Sequence, residues 1–468
     1  MYGGPDATAY FVRETRKSTW FTQVPVVLSR ASGTPAFNQD WAVSISRAGD
    51  YLLQTWLRLT TPVVTLTSAA GVGNKSIRWT RNFMHSIIKE CNITFNDLVA
   101  ARFDNYHLDF WAAFTVPASK SNGYDNMIGN VADLIDPHAA GDSIPSYTLN
   151  LPLPFFYGRD SGVALPTAAL PYNEMRINFS FRDWTDLLIL STADQQTNNA
   201  QLSSDGIQLV GGVPTLGQCQ VWANYAIVSN DERKRMACAP RDILIEQVQT
   251  APRQSFTPAT NSAQSFDIRF SHAIKVLFFS VRNTTCKSEW SNYSTASPTV
   301  AISGSVPVIS FYPDAGAADP ILQTSIIYEN TNRLSQMGSD YFSLVNPFFH
   351  APTVPEVIGY HSYSYSLDFM TLDPMGSTNY GKLTNVSIVP EASATAIAAA
   401  SGGGDSGSGY YQSQTYEFIV TCINNNIIRV SGGALGKHGK PKIGRCYKSC
   451  GKTFIGKHFK YHFSIKHC

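Results

Sequence analysis

The residues best suited to chemistry stand together near the end of the chain: Cys446, Cys450, His462 and His467. Two thiolates and two imidazoles are ligand types that hold zinc in a closed tetrahedral site. Three residues separate the cysteines, four separate the histidines, and eleven separate the two pairs. Phe454 and Phe459 fall between the pairs, where they would form a mini-core, and His458 and Cys468 are spare ligands. Zinc in this tail is one expectation; a tail with no fold of its own is the other. Residues 437–468 also carry nine Lys and Arg and no acid. The formal net charge of the chain is +2, so removing these nine leaves −7, and the positive charge belongs to the tail. One small basic module would meet nucleic acid weakly, through phosphates.

Elsewhere the patterns that suggest catalysis each lack a part. Gly404-Asp405-Ser406-Gly407-Ser408 has the form of a protease serine loop, but it sits in a run of Ala, Gly and Ser that reads as a flexible loop. Asp104, His107 and Asp109 do not share one helix face and read as surface or cap residues. Gly71-Val-Gly-Asn-Lys-Ser76 is half a phosphate loop without its Gly-Lys pair, and reads as a hairpin turn. Glu174 would need a second carboxylate about 5–10 Å away to cleave a glycoside. Hydrogen bonding at the start of a strand is the expectation for it instead.

The elements that would position these residues read as strands. Met175, Ile177, Phe179 and Phe181 alternate with Arg176, Asn178, Ser180 and Arg182, the period of a half-buried strand. Before them, Pro152, Pro154, Pro166 and Pro171 interrupt an apolar segment, which reads as chain laid in order across a β-core. Short strand-like runs between Gly, Pro, Asn and Ser recur along the chain, the signature of a sandwich or barrel. The opening pattern of Trp20–Leu28, Trp41–Ser46 and Tyr51–Leu59 returns as Ile243–Gln249, Phe266–Phe270 and Ala273–Arg282. One helix is expected over Asn96–Phe114, capped by Asn96 or Asp97. The cluster Asp231-Glu232-Arg233-Lys234-Arg235 reads as a short solvated link within 231–242.

Composition agrees with an all-β chain of two or three units. Of 468 residues, 43% are hydrophobic, 12% aromatic and only 15% charged, with 33 Gly and 25 Pro. Average soluble proteins are about a quarter charged, so this balance suits a surface largely covered by partners. No secretory signal and no apolar run of membrane-spanning length is read. Of eight cysteines, Cys91, Cys219, Cys238, Cys286 and Cys422 are scattered through strand-like runs and are expected as free thiols.

The proline-rich block Leu151–Asn178, LPLPFFYGRDSGVALPTAALPYNEMRIN, closely resembles a segment of the major capsid proteins of iridoviruses, above all those infecting invertebrates. The resemblance continues in order through Tyr2–Ala7, Tyr10–Glu14, Arg47–Tyr51, Asn126–Asn130, Arg269–Ala273, Tyr328–Thr331, Gly376–Gly381 and Asn424–Arg429. It implies two consecutive eight-stranded jelly-roll sandwiches, a double jelly roll, with short helices in loops. The first would occupy 1–230 and the second 243–436, joined by the link at 231–242. It also implies a homotrimer forming pseudo-hexagonal capsomers, contacts with neighbouring capsomers, minor capsid proteins and an internal viral membrane, and assembly in host cytoplasm into the virion. No cofactor and no catalysis are implied for these units.

Both ends depart from the resemblance. The tail after Gly436 resembles a two-Cys, two-His zinc finger, one residue short in its central gap. Met1 stands where the family carries a short arm. These departures admit an integrated capsid-gene copy fused to a zinc-binding tail. A β-sandwich that binds glycans at a virion or cell surface is the reading outside the family.

Overall fold

Period-two patterning becomes antiparallel sheet. The computed structural model describes residues 11, 18–67, 75–171, 173–192, 199–201, 209–238, 241–260, 263–296, 300–303, 306–309, 318–401, 414–431 and 434–436. The main strands of the first half are β1 (Phe21–Val27), β2 (Ser29–Gly33), β3 (Asp40–Ser44), β4 (Tyr51–Thr60), β5 (Ile88–Phe95), β6 (Leu98–Phe103), β7 (Thr148–Pro152), β8 (Met175–Phe181) and β9 (Cys219–Val228). Those of the second half are β10 (Arg241–Thr250), β11 (Phe266–Asp267), β12 (Ala273–Asn283), β13 (Ile321–Tyr328), β14 (Thr331–Gly338), β15 (His361–Ser364), β16 (Val386–Ala392) and β17 (Tyr416–Ser431).

These strands build four sheets. Two, ordered β1-β9-β4-β7 and β2-β3-β8-β5-β6, form the first sandwich. Two more, β10-β17-β12-β15 and β11-β16-β13-β14, form the second. With β2 set aside, eight strands in the first half and eight in the second occupy the same places. In each half the last strand inserts between the first strand and the long third one. The repeat of opening pattern read from sequence is therefore a repeat of topology, the double jelly roll.

Alternation decides which faces meet. Along β8, Met175, Ile177, Phe179 and Phe181 are buried and the residues between them are not. Trp41 pairs with Phe179 across the strands, ring centroids 5.4 Å apart. Leu57 and Leu59 of β4 join the same core from the other sheet. Each such side chain contributes about 1.5–3 kcal/mol on leaving water.

The proline-rich block lies across this core as its sequence suggests. Phe155, Phe156, Tyr157, Leu165 and Leu170 are buried. Three single-turn 3-10 helices carry the chain from one proline to the next. The backbones of Leu52 and Leu165 exchange two hydrogen bonds, and the Tyr157 and Thr55 hydroxyls meet at 2.8 Å.

One sequence expectation needs correction. The helix expected over Asn96–Phe114 begins at Asn105 and runs to Thr115. Residues Leu98–Phe103 are strand β6, and Asn96 and Asp97, with φ of 50° and 63°, form the tight turn from β5. Asp104 is the actual cap, accepting from the His107 amide at 2.9 Å. The charged segment read as a solvated link is largely exposed and takes the form of a helix, Asn230–Cys238, before β10 begins at Arg241. Arg233 of that helix pairs with Asp50 at 2.7 Å.

Among the described residues three apolar clusters result. One fills the first sandwich and one the second. The third lies between the halves, where Tyr106, Phe110 and Phe114 of the Asn105–Thr115 helix cover Val276, Phe278, Ile419 and Ile423. These last four lie on β12 and β17, on the side away from the second core. Cys91, Cys219, Cys286 and Cys422 are free thiols, as expected.

Candidate functional site at the seam between the sandwiches

Among the described residues, those singled out for chemistry do not assemble into a catalytic centre. Glu174 is bound to its surroundings: its amide donates to Asn96 Oδ1 at 2.8 Å, and its Oε1 accepts from Arg176 Nη2 at 2.6 Å. Asp104 caps a helix, but His107 and Asp109 are buried rather than surface residues. Burial, with the Arg159 charge beside it, pushes His107 down to about 3, so its ring is neutral. Cys446, Cys450, His462 and His467, the Gly404–Ser408 loop and Gly71–Asn74 lie outside the described residues. Among the described residues no group of three or more metal-ligating side chains gathers.

One Ser-His-Asp cluster escaped the sequence reading, because its members are spread over Asp319, Ser339 and His361. Ser339 Oγ and Asp319 Oδ2 each lie 2.8 Å from the same ring nitrogen, His361 Nε2. A relay needs the serine and the carboxylate on opposite nitrogens. Here Ser339 also donates to Asp319 at 2.7 Å, which makes the cluster a structural knot.

The concentrated chemistry of the chain lies at the seam. Phe278 of β12 stacks on Phe110 and Phe114, centroids 5.9 and 5.3 Å away. Around this aromatic layer, charged groups cross from one sandwich to the other. Arg78 Nη2 donates to Glu289 at 3.0 Å with both side chains buried. Asp109 Oδ2 accepts from Ser291 and Tyr293 at 2.9 and 2.8 Å. Its other oxygen lies 2.7 Å from His85 Nδ1. Arg159 reaches Glu246 at 2.7 Å while its guanidinium lies 3.7 Å over the Trp111 ring. Arg182 and Arg282, one from each half, lie 3.5 and 4.1 Å from the Trp290 ring. Burial lowers the pKa of Arg78 and Arg159 and brings Arg182 down to about 10, where Arg182 is still charged at neutral pH.

These groups are matched to one another, not poised for a substrate. A cleft of about 730 Å³ opens beside them, lined by Asp40, Tyr106, Arg182, Arg253 and Trp290 among others. The buried thiols have pKa values raised by desolvation, Cys286 to about 11, which opposes nucleophilic use. What the arrangement does is fix two sandwiches in one orientation.

Two family models match the chain. One, described as the major capsid protein N-terminus, matches residues 9–228. The other, described as the large eukaryotic DNA virus major capsid protein, matches residues 232–436. The chain is 66% identical over 446 residues to the major capsid protein of Costelytra zealandica iridescent virus, covering 93% of this chain and 94% of that one. It is 44% identical to the counterpart in Frog virus 3, with 93% and 94% covered. Among solved structures, the PBCV-1 virus capsid gives a TM-score of 0.70 at 18% identity, covering 92% of this chain and 99% of that chain. The Faustovirus major capsid protein gives 0.67 at 10% identity, covering 91% and 93%. At such identities these two speak for the fold alone.

Proposed function

The chain belongs to the iridovirus major capsid proteins, within the large eukaryotic DNA virus capsid family, and we propose that it acts as a homotrimer forming a pseudo-hexagonal capsomer. Membership makes it a structural protein of the virion shell and not an enzyme. The observation that carries the trimer is the repeated eight-strand topology: three chains supply six similar sandwiches. A ring of three needs two different faces on each chain, and two sandwiches provide them. Residues 1–230 and 243–436 are the two units in this reading, with the helical joint between them.

Neighbouring capsomers, minor capsid proteins and an internal membrane are the partners in the same reading, reached through surfaces outside the seam. Light scattering on the full chain tests the trimer: a mass of three chains supports it, and a single-chain mass removes it.

The tail is a separate proposal. Cys446, Cys450, His462 and His467 bind one zinc through two thiolates and two imidazoles. Metal analysis decides it: one zinc per full chain, absent from a chain ending at Gly436, is expected. Equal metal in both would sink it.

A further inference from the structure

The face of β8 that looks away from the first core carries polar groups in register. Asn178 and Ser180 alternate with the buried residues of the strand and are half-buried on its other side. Ser180 stands between Asp40 of β3 and Glu90 of β5, and in the next rung Asn178 stands opposite Asn92. Asn178 Nδ2 donates to Asn92 Oδ1 at 2.8 Å, and Asn92 Nδ2 donates to Glu90 Oε1 at 3.2 Å. These bonds set the direction of both amides in advance, which lowers the cost of binding.

This row is one wall of the cleft beside the seam, and Arg253 and Trp290 of the second half line it too. Both halves belong to one polypeptide, so the cleft is complete in a single chain. Its volume of about 730 Å³ is that of a ligand site, for which about 300–1,000 Å³ is usual. Arg182, 9% exposed, lines it and donates to Asn105 Oδ1 at 3.0 Å. Asn105 also lines it and is 1% exposed, and among the described residues its Nδ2 has no partner. A buried donor without an acceptor is costly. A ligand oxygen at this end of the cleft would relieve it.

The class of ligand follows from what the lining opposes. Five carboxylates against three basic side chains line the cleft, and that excess of negative charge repels phosphate, sulfate and nucleic acid. The guanidiniums and the Asn105 amide call for acceptors, which a polyamine lacks. Hydroxyl groups answer both demands, because each donates and accepts. We propose that the cleft binds an uncharged glycan, whose hydroxyls donate to Asp40 and Glu90 and accept from Arg182 and Arg253. Each of these contacts has one charged partner, the stronger kind of hydrogen bond. The shell protein then has a saccharide-binding activity besides assembly, and the proposal holds for a single chain or a trimer.

The test uses full-length wild type, D40A, S180W and K120A on an immobilised panel of uncharged hexose and N-acetylhexosamine oligomers, with sialylated and sulfated oligosaccharides beside them. Lys120 is exposed and outside the cleft, so K120A is the control. Thermal unfolding of each checks the fold, and D40A alone serves if S180W does not fold. Wild type and K120A are expected to hold at least one uncharged oligomer and no anionic one. D40A is expected to weaken that binding by about tenfold or more, the loss of a hydrogen bond to a charged group. S180W, which fills the middle of the cleft, is expected to abolish it. Wild type that holds no uncharged oligomer overturns the proposal, as does retention by the anionic members alone. Folded S180W or D40A that binds like wild type also overturns it, because the saccharide is then held elsewhere.

Discussion

Lys275 Nζ lies 2.6 Å from Glu246 Oε1, with the lysine side chain fully buried. The other Glu246 oxygen holds Arg159 of the first sandwich at 2.7 Å. Lys275 also donates to the Thr371 carbonyl at 2.7 Å. One carboxylate thus neutralises two cations where the halves meet. Burying charge is costly, and such a group gives net stability only when its partners are complete. Removing the shared anion should be the most damaging polar change at the seam. Glu246→Ala is expected to cost about 3–5 kcal/mol, the range for breaking a buried pair. Urea unfolding of the variant checks it; a loss under 1 kcal/mol would mean that water reaches both cations.

The aromatic layer should answer to truncation in the same way. Phe278 contacts Phe110, Phe114 and Phe369 and has no exposed surface. Phe278→Ala should cost about 3–5 kcal/mol. The same substitution at exposed Phe349 should leave single-chain stability within about 0.5 kcal/mol. Comparing both denaturation midpoints separates seam from surface.

Acid should loosen the second sandwich through Asp319. Burial raises its pKa, but the His361 charge and hydrogen bonds from His361, Ser339 and the Ile321 amide outweigh that and leave it lowered. A lowered folded pKa gives stability that is present above the ordinary carboxylate value and lost as pH falls through the folded one. Asp319→Asn should therefore destabilise the chain at pH 7 by on the order of 1.5–3 kcal/mol. The gap to wild type should narrow below about pH 4. A gap that stays constant from pH 7 to pH 3 would show that charge at Asp319 is not what matters.

Leu57 is fully buried between the sheets of the first sandwich. Leu57→Asp puts an unpaired charge there, and the chain should not fold. Recovery of soluble protein with a wild-type circular dichroism spectrum would contradict this.

Much of the fold was legible because strand alternation and proline chemistry are local. The β8 pattern and the proline block needed only neighbouring residues to be read. The helix start was misplaced because Asn and Asp serve both as caps and as left-handed turn residues. At Asn96 and Asp97 the turn won, and the capping role fell to Asp104. The charged segment at 230–238 did carry its signal: Asp231 and Glu232 in the first turn and Arg235 in the last match a helix dipole. Lys275 lies within the strand run Ala273–Arg282 but does not take a regular place in its ladder. The ladder to β17 shifts between Ile274 and Val276, so Lys275 is the extra residue of a bulge. The seam itself was not legible. Arg78 and Glu289 are 211 residues apart, and only the finished fold brings them together.

The two halves that meet at the seam are carried on one polypeptide, and this sets how the joint responds to concentration. A contact within a chain forms at an effective concentration fixed by its connection, here the short helix at Asn230–Cys238. Dilution cannot open it. A joint between chains has no such tether and follows mass action. Diluting an assembly of these chains should therefore release pairs of sandwiches still locked together, never single ones.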